Sequence, residues 1–194
     1  TFLREAAASV GMDRFPADFD FLCKVIFDPA LYPTRLNQAA GADMLWTSAS
    51  NYYSNVRQHE AEQFYAAMAA ADAGNPCPVS FGLNSQLVKE EKTGRMYERT
   101  WKVGGMYSPA IERIVYWLEK ARDAAAEPQK QTLAALVDYY RTGDLKQFDR
   151  YNILWLQDTV SNVDFVNGFI ETYGDPLGYK ASWEANVNFI DSAA

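Results

Sequence analysis

Apolar positions recur at helical spacing over most of the chain and alternate over a smaller part of it. Phe15-Pro16-Ala17-Asp18 opens an apolar segment that runs to Phe27 and predicts a helix. Asp28-Pro29 and Tyr32-Pro33 break it, because a residue before proline avoids the helical region. Val56 to Asp72 predicts a stronger helix, alanine-rich, with Phe64, Met68 and Ala71 at helical spacing. Gly74-Asn75-Pro76-Cys77-Pro78 ends it. Beyond that point the pattern changes: Val79 to Leu83 and Gln86 to Lys89 predict extended chain. Glu91 to Arg95 reads as a hairpin turn in which Gly94 can take positive φ, and the alternating run Met96 to Val103 is the returning strand. Gly104-Gly105 closes that strand.

Ser108-Pro109 has the form of a helix start, a hydroxyl acceptor followed by proline at the first helical position. Ile111, Ile114, Val115 and Leu118 form its apolar stripe. Glu127-Pro128 opens another helix, with Leu133, Leu136, Val137 and Tyr140 inward and Gly143 as its stop. Asp144 caps a third, through Phe148 and Ile153 to about Gln157. Val163 to Ile170 and Trp183 to Ile190 read as strands. Helices, a hairpin, more helices and then strands make an α+β order rather than an alternating βαβ one. Residues 1–75 are expected to be mainly helical, and 76–194 to form a mixed α+β part.

Composition narrows the class. The 194 residues are 48% hydrophobic and include 12 Tyr, 11 Phe and 5 Trp, enough large apolar surface for an ordered core and against disorder. A net charge of -7 repels phosphate backbones, so nucleic acid is not an expected partner. No stretch approaches the ~20 apolar residues of a membrane span, so no membrane partner is expected. Cys23 and Cys77 lie far apart and form no disulfide framework, which favours the cytoplasm, with the periplasm as the other compartment. Cys23, in an apolar run, reads as a buried thiol.

Most catalytic patterns fail on their spacing. His59-Glu60 begins a zinc motif, but the positions where a second histidine would stand are Gln63 and Phe64, and His59 is the single histidine of the chain. It reads as a surface or capping residue. Two scattered cysteines make no closed zinc site. Gly104-Gly105 lacks the Lys and Ser/Thr of a phosphate loop, and no G-x-S-x-G elbow occurs. With 25 acidic residues, choosing two as a glycosidase pair has no geometric basis.

The segment Gly168-Phe169-Ile170-Glu171-Thr172-Tyr173-Gly174-Asp175-Pro176-Leu177-Gly178 carries more chemistry. If Phe169 to Tyr173 is extended, Phe169, Glu171 and Tyr173 share one face, since strand side chains repeat every second residue. An acid there can bind a cationic amine, and a phenol can donate to a developing oxyanion. The same pattern also suits a half-buried strand end with a locally satisfied tyrosine.

At this segment the chain resembles the dipeptidyl peptidase III family, whose G-F-I-E-x-Y stretch is followed by Asp-Pro and Gly. The resemblance extends through Trp183-Glu184-Ala185-Asn186-Val187-Asn188 downstream, and upstream through Trp155 to Thr159, the Tyr107-to-Lys120 helix and Leu83 to Lys89. It is nearest to the bacterial branch and covers residues 79–191 and, more loosely, the helical start. It implies one part of a two-lobed zinc exopeptidase that removes dipeptides from the amino ends of short peptides. By position, Glu171 would hold the free amino terminus, Tyr173 would support the tetrahedral intermediate, and Phe169 and Asp175 would contribute to the peptide site. The family's zinc motif, H-E-x-x-G-H, lies downstream of this segment and is not among these residues. The resemblance therefore implies a fragment with no metal ligand of its own, inactive alone, whose partners are short peptides and the zinc-bearing lobe of the same polypeptide. Zn2+ is expected in the full-length enzyme. The other reading is a non-catalytic peptide-binding or interaction module.

Overall fold

The computed structural model describes residues 5, 6, 9, 15–28, 31 and 33–190. Its elements run α1 (Phe15–Phe27), β1 (Tyr53–Ser54), α2 (Gln58–Ala71), β2 (Ser85–Lys89), β3 (Met96–Thr100), α3 (Ser108–Ala124), α4 (Gln129–Thr142), α5 (Leu145–Gln157), β4 (Val163–Glu171) and β5 (Ser182–Phe189). The α+β expectation holds, with strands in two small sheets.

In the first sheet β2 lies between β1, parallel to it, and β3, antiparallel to it. The β2–β3 hairpin turns at Gly94, whose φ is +70°. The second sheet is the antiparallel pair β4–β5, running from Val163↔Phe189 to Glu171↔Ser182. The pairing slips between Phe169 and Glu171, so Ile170 is the additional residue of a bulge.

Two apolar clusters hold the elements. The larger packs α3, α4 and α5 against β4, with Ile111, Val115, Leu133, Leu136, Tyr140 and Phe165 buried. The smaller joins Leu45, Val56, Ala61, Tyr65 and Leu87, with Leu177 and Tyr179 packed against it. The inward face of α4 is the one its periodicity predicts, and the helix stops at Gly143 in the left-handed region, φ +71°. That stop is also a packing site: the Gly143 carbonyl accepts from Asn84 Nδ2 at 3.0 Å, and a Cβ there would meet Thr100 Cγ2 at 2.5 Å. Asp144 caps α5, its Oδ1 accepting from the Lys146 N–H at 2.9 Å.

Five local readings change. Residues 81–84 are a turn, not extended chain, and pairing starts at Ser85. The returning strand stops at Thr100, because the Val103 N–H turns to the Tyr140 carbonyl at 2.9 Å. Ser108 is the first residue of α3 rather than its cap. Tyr107 holds the cap position at φ +63°, while Ser108 Oγ accepts from Gly104 N at 2.6 Å and donates to Glu112 at 2.6 Å. The buried line of α2 runs through Ala61 and Tyr65, with Phe64 and Met68 beside it and Ala71 exposed. Cys23 is half-buried rather than buried, and Cys77 is exposed; both thiols are free. His59 is exposed.

Candidate functional site

β4 carries its last residues out of the larger core toward the smaller one. Phe169 is 6% exposed and packs on Trp101, ring centroids 4.8 Å apart, and on Tyr140 at 6.3 Å. On the neighbouring position a Cβ at Gly168 would meet the Phe148 ring at 2.7 Å, so the glycine lets β4 lie close against α5. After the bulge comes Glu171, half-buried, its carbonyl accepting from Ser182 Oγ at 3.2 Å. The strand ends there. The Asp175 N–H donates to the Thr172 carbonyl at 3.0 Å, so a turn has begun before Tyr173 is reached. Tyr173 is 68% exposed. The acid and the phenol therefore stand on either side of a strand end, not along one extended face: the bulge and the turn interrupt the two-residue repeat.

Asp175 is 3% exposed and organises the turn that follows. Its Oδ2 accepts from Tyr53 Oη, the Tyr179 N–H and the Lys180 N–H, each at 2.8 Å, and its Oδ1 accepts from the Leu177 N–H at 3.2 Å. A carboxylate so occupied has little left for a peptide. Asp175 thus holds the turn together from within, while Phe169 anchors the strand end in the core and also lines the basin described below.

The surroundings include groups that sequence reasoning did not single out. A Cβ on Gly174 would lie 3.4 Å from Tyr52 Oη and 3.8 Å from an Arg35 guanidinium nitrogen, so that phenol and that cation flank the turn. Burial, and then the negative Asp175, push the Tyr52 phenol above its ordinary value. Burial and the bonded Asp175 push Tyr53 up as well, which keeps it a neutral donor. Beside Ser182 an apolar basin of about 400 Å³ opens, lined by Tyr52, Trp101, Tyr107, Phe169 and Trp183 among others. Trp183 Nε1 donates to Tyr140 Oη at 2.8 Å, which fixes its ring at the basin wall. Among the described residues no three of His, Cys, Asp and Glu stand together as a metal site. The described residues offer no donor set that fits a zinc ion.

An acid and an exposed phenol thus flank a strand outlet beside an aromatic basin, on an α+β frame. Comparison with known proteins supplies the family: the profile of Peptidase family M49 matches residues 41–194, and the chain belongs to that family. Dipeptidyl peptidase 3 of Homo sapiens is 30% identical over 135 residues, covering 69% of this chain and 18% of that protein. Dipeptidyl peptidase 3 of Mus musculus is 34% identical over 112 residues, 57% of this chain and 15% of that protein. The chain thus spans less than a fifth of the length of these relatives. The fold agrees with dipeptidyl-peptidase III from Corallococcus sp. strain EGB at a TM-score of 0.57 and 18% identity, over 80% of this chain and 27% of that one. DPP III from Caldithrix abyssi gives 0.56 and 18%, over 82% and 30%.

Proposed function

We propose that this chain supplies the substrate-side residues of a zinc-dependent dipeptidyl peptidase acting on the amino ends of short peptides. The observation that carries the reading is the strand outlet: a half-buried Glu171 and, two residues on, an exposed Tyr173 above a firmly hydrogen-bonded turn. An exopeptidase has to recognise a cationic terminus, and a carboxylate partly withdrawn from water does so more strongly than an exposed one. Attack of water on a peptide carbonyl creates an oxyanion, and a phenol is a neutral donor suited to it. The basin beside Ser182 offers apolar walls to a substrate side chain. The zinc expected in the full-length enzyme, and the lobe that bears it, lie outside the residues described. By this reading the chain alone binds and does not cleave.

Calorimetry on short peptides with free and acetylated amino ends tests the amine role. Acetylation is expected to weaken binding by about tenfold or more, roughly 1.4 kcal/mol. Equal affinities would remove Glu171 from amine recognition. In the full-length enzyme, Tyr173→Phe is expected to slow turnover about a hundredfold with the fold unchanged, since loss of an oxyanion donor costs about 3 kcal/mol. Glu171→Ala is expected to act mainly on KM; an effect on thermal stability alone would make it a structural residue.

A further inference from the structure

Lys180 is wholly buried, a rare position for a lysine, and the proposed chemistry does not use it. Its ammonium donates to Tyr65 Oη and, at 2.9 Å, to Ser85 Oγ. Each hydroxyl passes the bond on: Tyr65 Oη donates to Glu98 Oε1 at 2.8 Å and Ser85 Oγ to the same oxygen at 2.6 Å. The ammonium itself stands 3.5 Å from that oxygen. One cation is thus held by α2, β2 and β3 at once, all partners lying far away in sequence. The Lys180 backbone meanwhile closes the turn on Asp175, and Asp175 is tied to β1 through Tyr53. Tyr179 stacks on Tyr65 with centroids 4.5 Å apart, which seals the knot.

We propose that Lys180 is a positioning residue: its buried ammonium pins the 172–181 connection to the first sheet and so sets where Tyr173 stands. This rests on the role proposed above for Tyr173. Glu171 is held independently, by the β4–β5 pairing and by Ser182. Loss of the pin is therefore expected to act on turnover more than on substrate affinity.

The groups facing the ammonium are Glu98 from β3, Tyr65 from α2, Tyr53 from β1 and Asp175 from the connection, with Tyr179 stacked on Tyr65. Burial pulls the lysine down to about 8, with Glu98 and then Asp175 opposing. The folded chain therefore releases this proton at lower pH than the unfolded chain. Across the window from about 8 to the ordinary lysine value of 10.5, this group makes the fold more stable as pH rises. A loss of rate in that window cannot come from unfolding driven by Lys180.

The test uses the full-length enzyme with Lys180→Met and Lys180→Arg. In Lys180→Met, amide exchange at positions 177, 179 and 180 is expected to rise about tenfold or more while α4 stays unchanged. Its kcat is expected to fall about tenfold with KM within about twofold, and adding Tyr173→Phe to it is expected to cost far less than in the wild type. The wild-type kcat is expected to fall as pH passes about 8, and Lys180→Arg, charged throughout, to keep most of the rate and lose that limb. Unchanged exchange in the turn, exchange raised equally in α4, or additive effects of the two substitutions would each overturn the proposal. A silent Tyr173→Phe with exchange still raised by Lys180→Met would overturn the oxyanion role alone and leave the pin standing.

Discussion

Gly82 shows how much of the site rests on single atoms. Its φ is +88°, and a Cβ on it would lie 2.8 Å from Tyr65 Cζ and 2.9 Å from Tyr65 Oη. The turn at 81–84 therefore lies directly on the phenol that receives Lys180. Gly82→Ala combines left-handed backbone strain with a clash against a ring that cannot yield without leaving Glu98 and Lys180. The expected cost is about 2–4 kcal/mol, read as a fall in melting temperature. Gly94→Ala, at φ +70° with nothing within 4 Å, is the matched control and is expected to cost the backbone strain alone, about 1 kcal/mol. Equal effects at the two sites would mean that the Tyr65 contact is unimportant. Lys180 was not legible in the sequence for a related reason. Gly178-Tyr179-Lys180 has the polar, turn-like look of a surface loop. What buries it is three partners at positions 65, 85 and 98, and no local pattern announces a non-local pocket.

The elements divide between those whose signals are local and those whose signals are not. α4 and α5 were legible because apolar spacing, Gly143 and Asp144 all agree, and each acts within a turn of its own position. Asp144→Ala is expected to cost about 1 kcal/mol by leaving the Lys146 N–H without its acceptor; denaturant titration measures it, and no change would show the cap to be redundant. Val79, Phe81 and Leu83 alternate as a strand does, yet the turn over Tyr65 takes that segment instead. Tyr53–Ser54 is too short to signal itself and exists because β2 offers an edge. The segment Gly168 to Gly178 was legible as a site but not in its geometry. The bulge at Ile170 and the turn from Thr172 depend on the pairing of β4 with β5 and on the packing of Asp175 against Tyr53.

At the scale of the molecule, the outer row of β5 is open. Trp183, Val187 and Phe189 are all exposed, and among the described residues β5 pairs with β4 alone. Such an edge is a template for another strand. Val187→Lys is expected to reduce concentration-dependent association of the chain, followed by sedimentation; an unchanged distribution would exonerate this edge.

The connection between β4 and β5 has one end in each apolar cluster: Phe169 and Ala181 belong to the larger, Leu177 and Tyr179 to the smaller. A peptide gripped by Glu171 and Tyr173 would sit astride that splice. Occupancy would then weld two packing units into a single cooperative body, so that heat would have to dismantle both together.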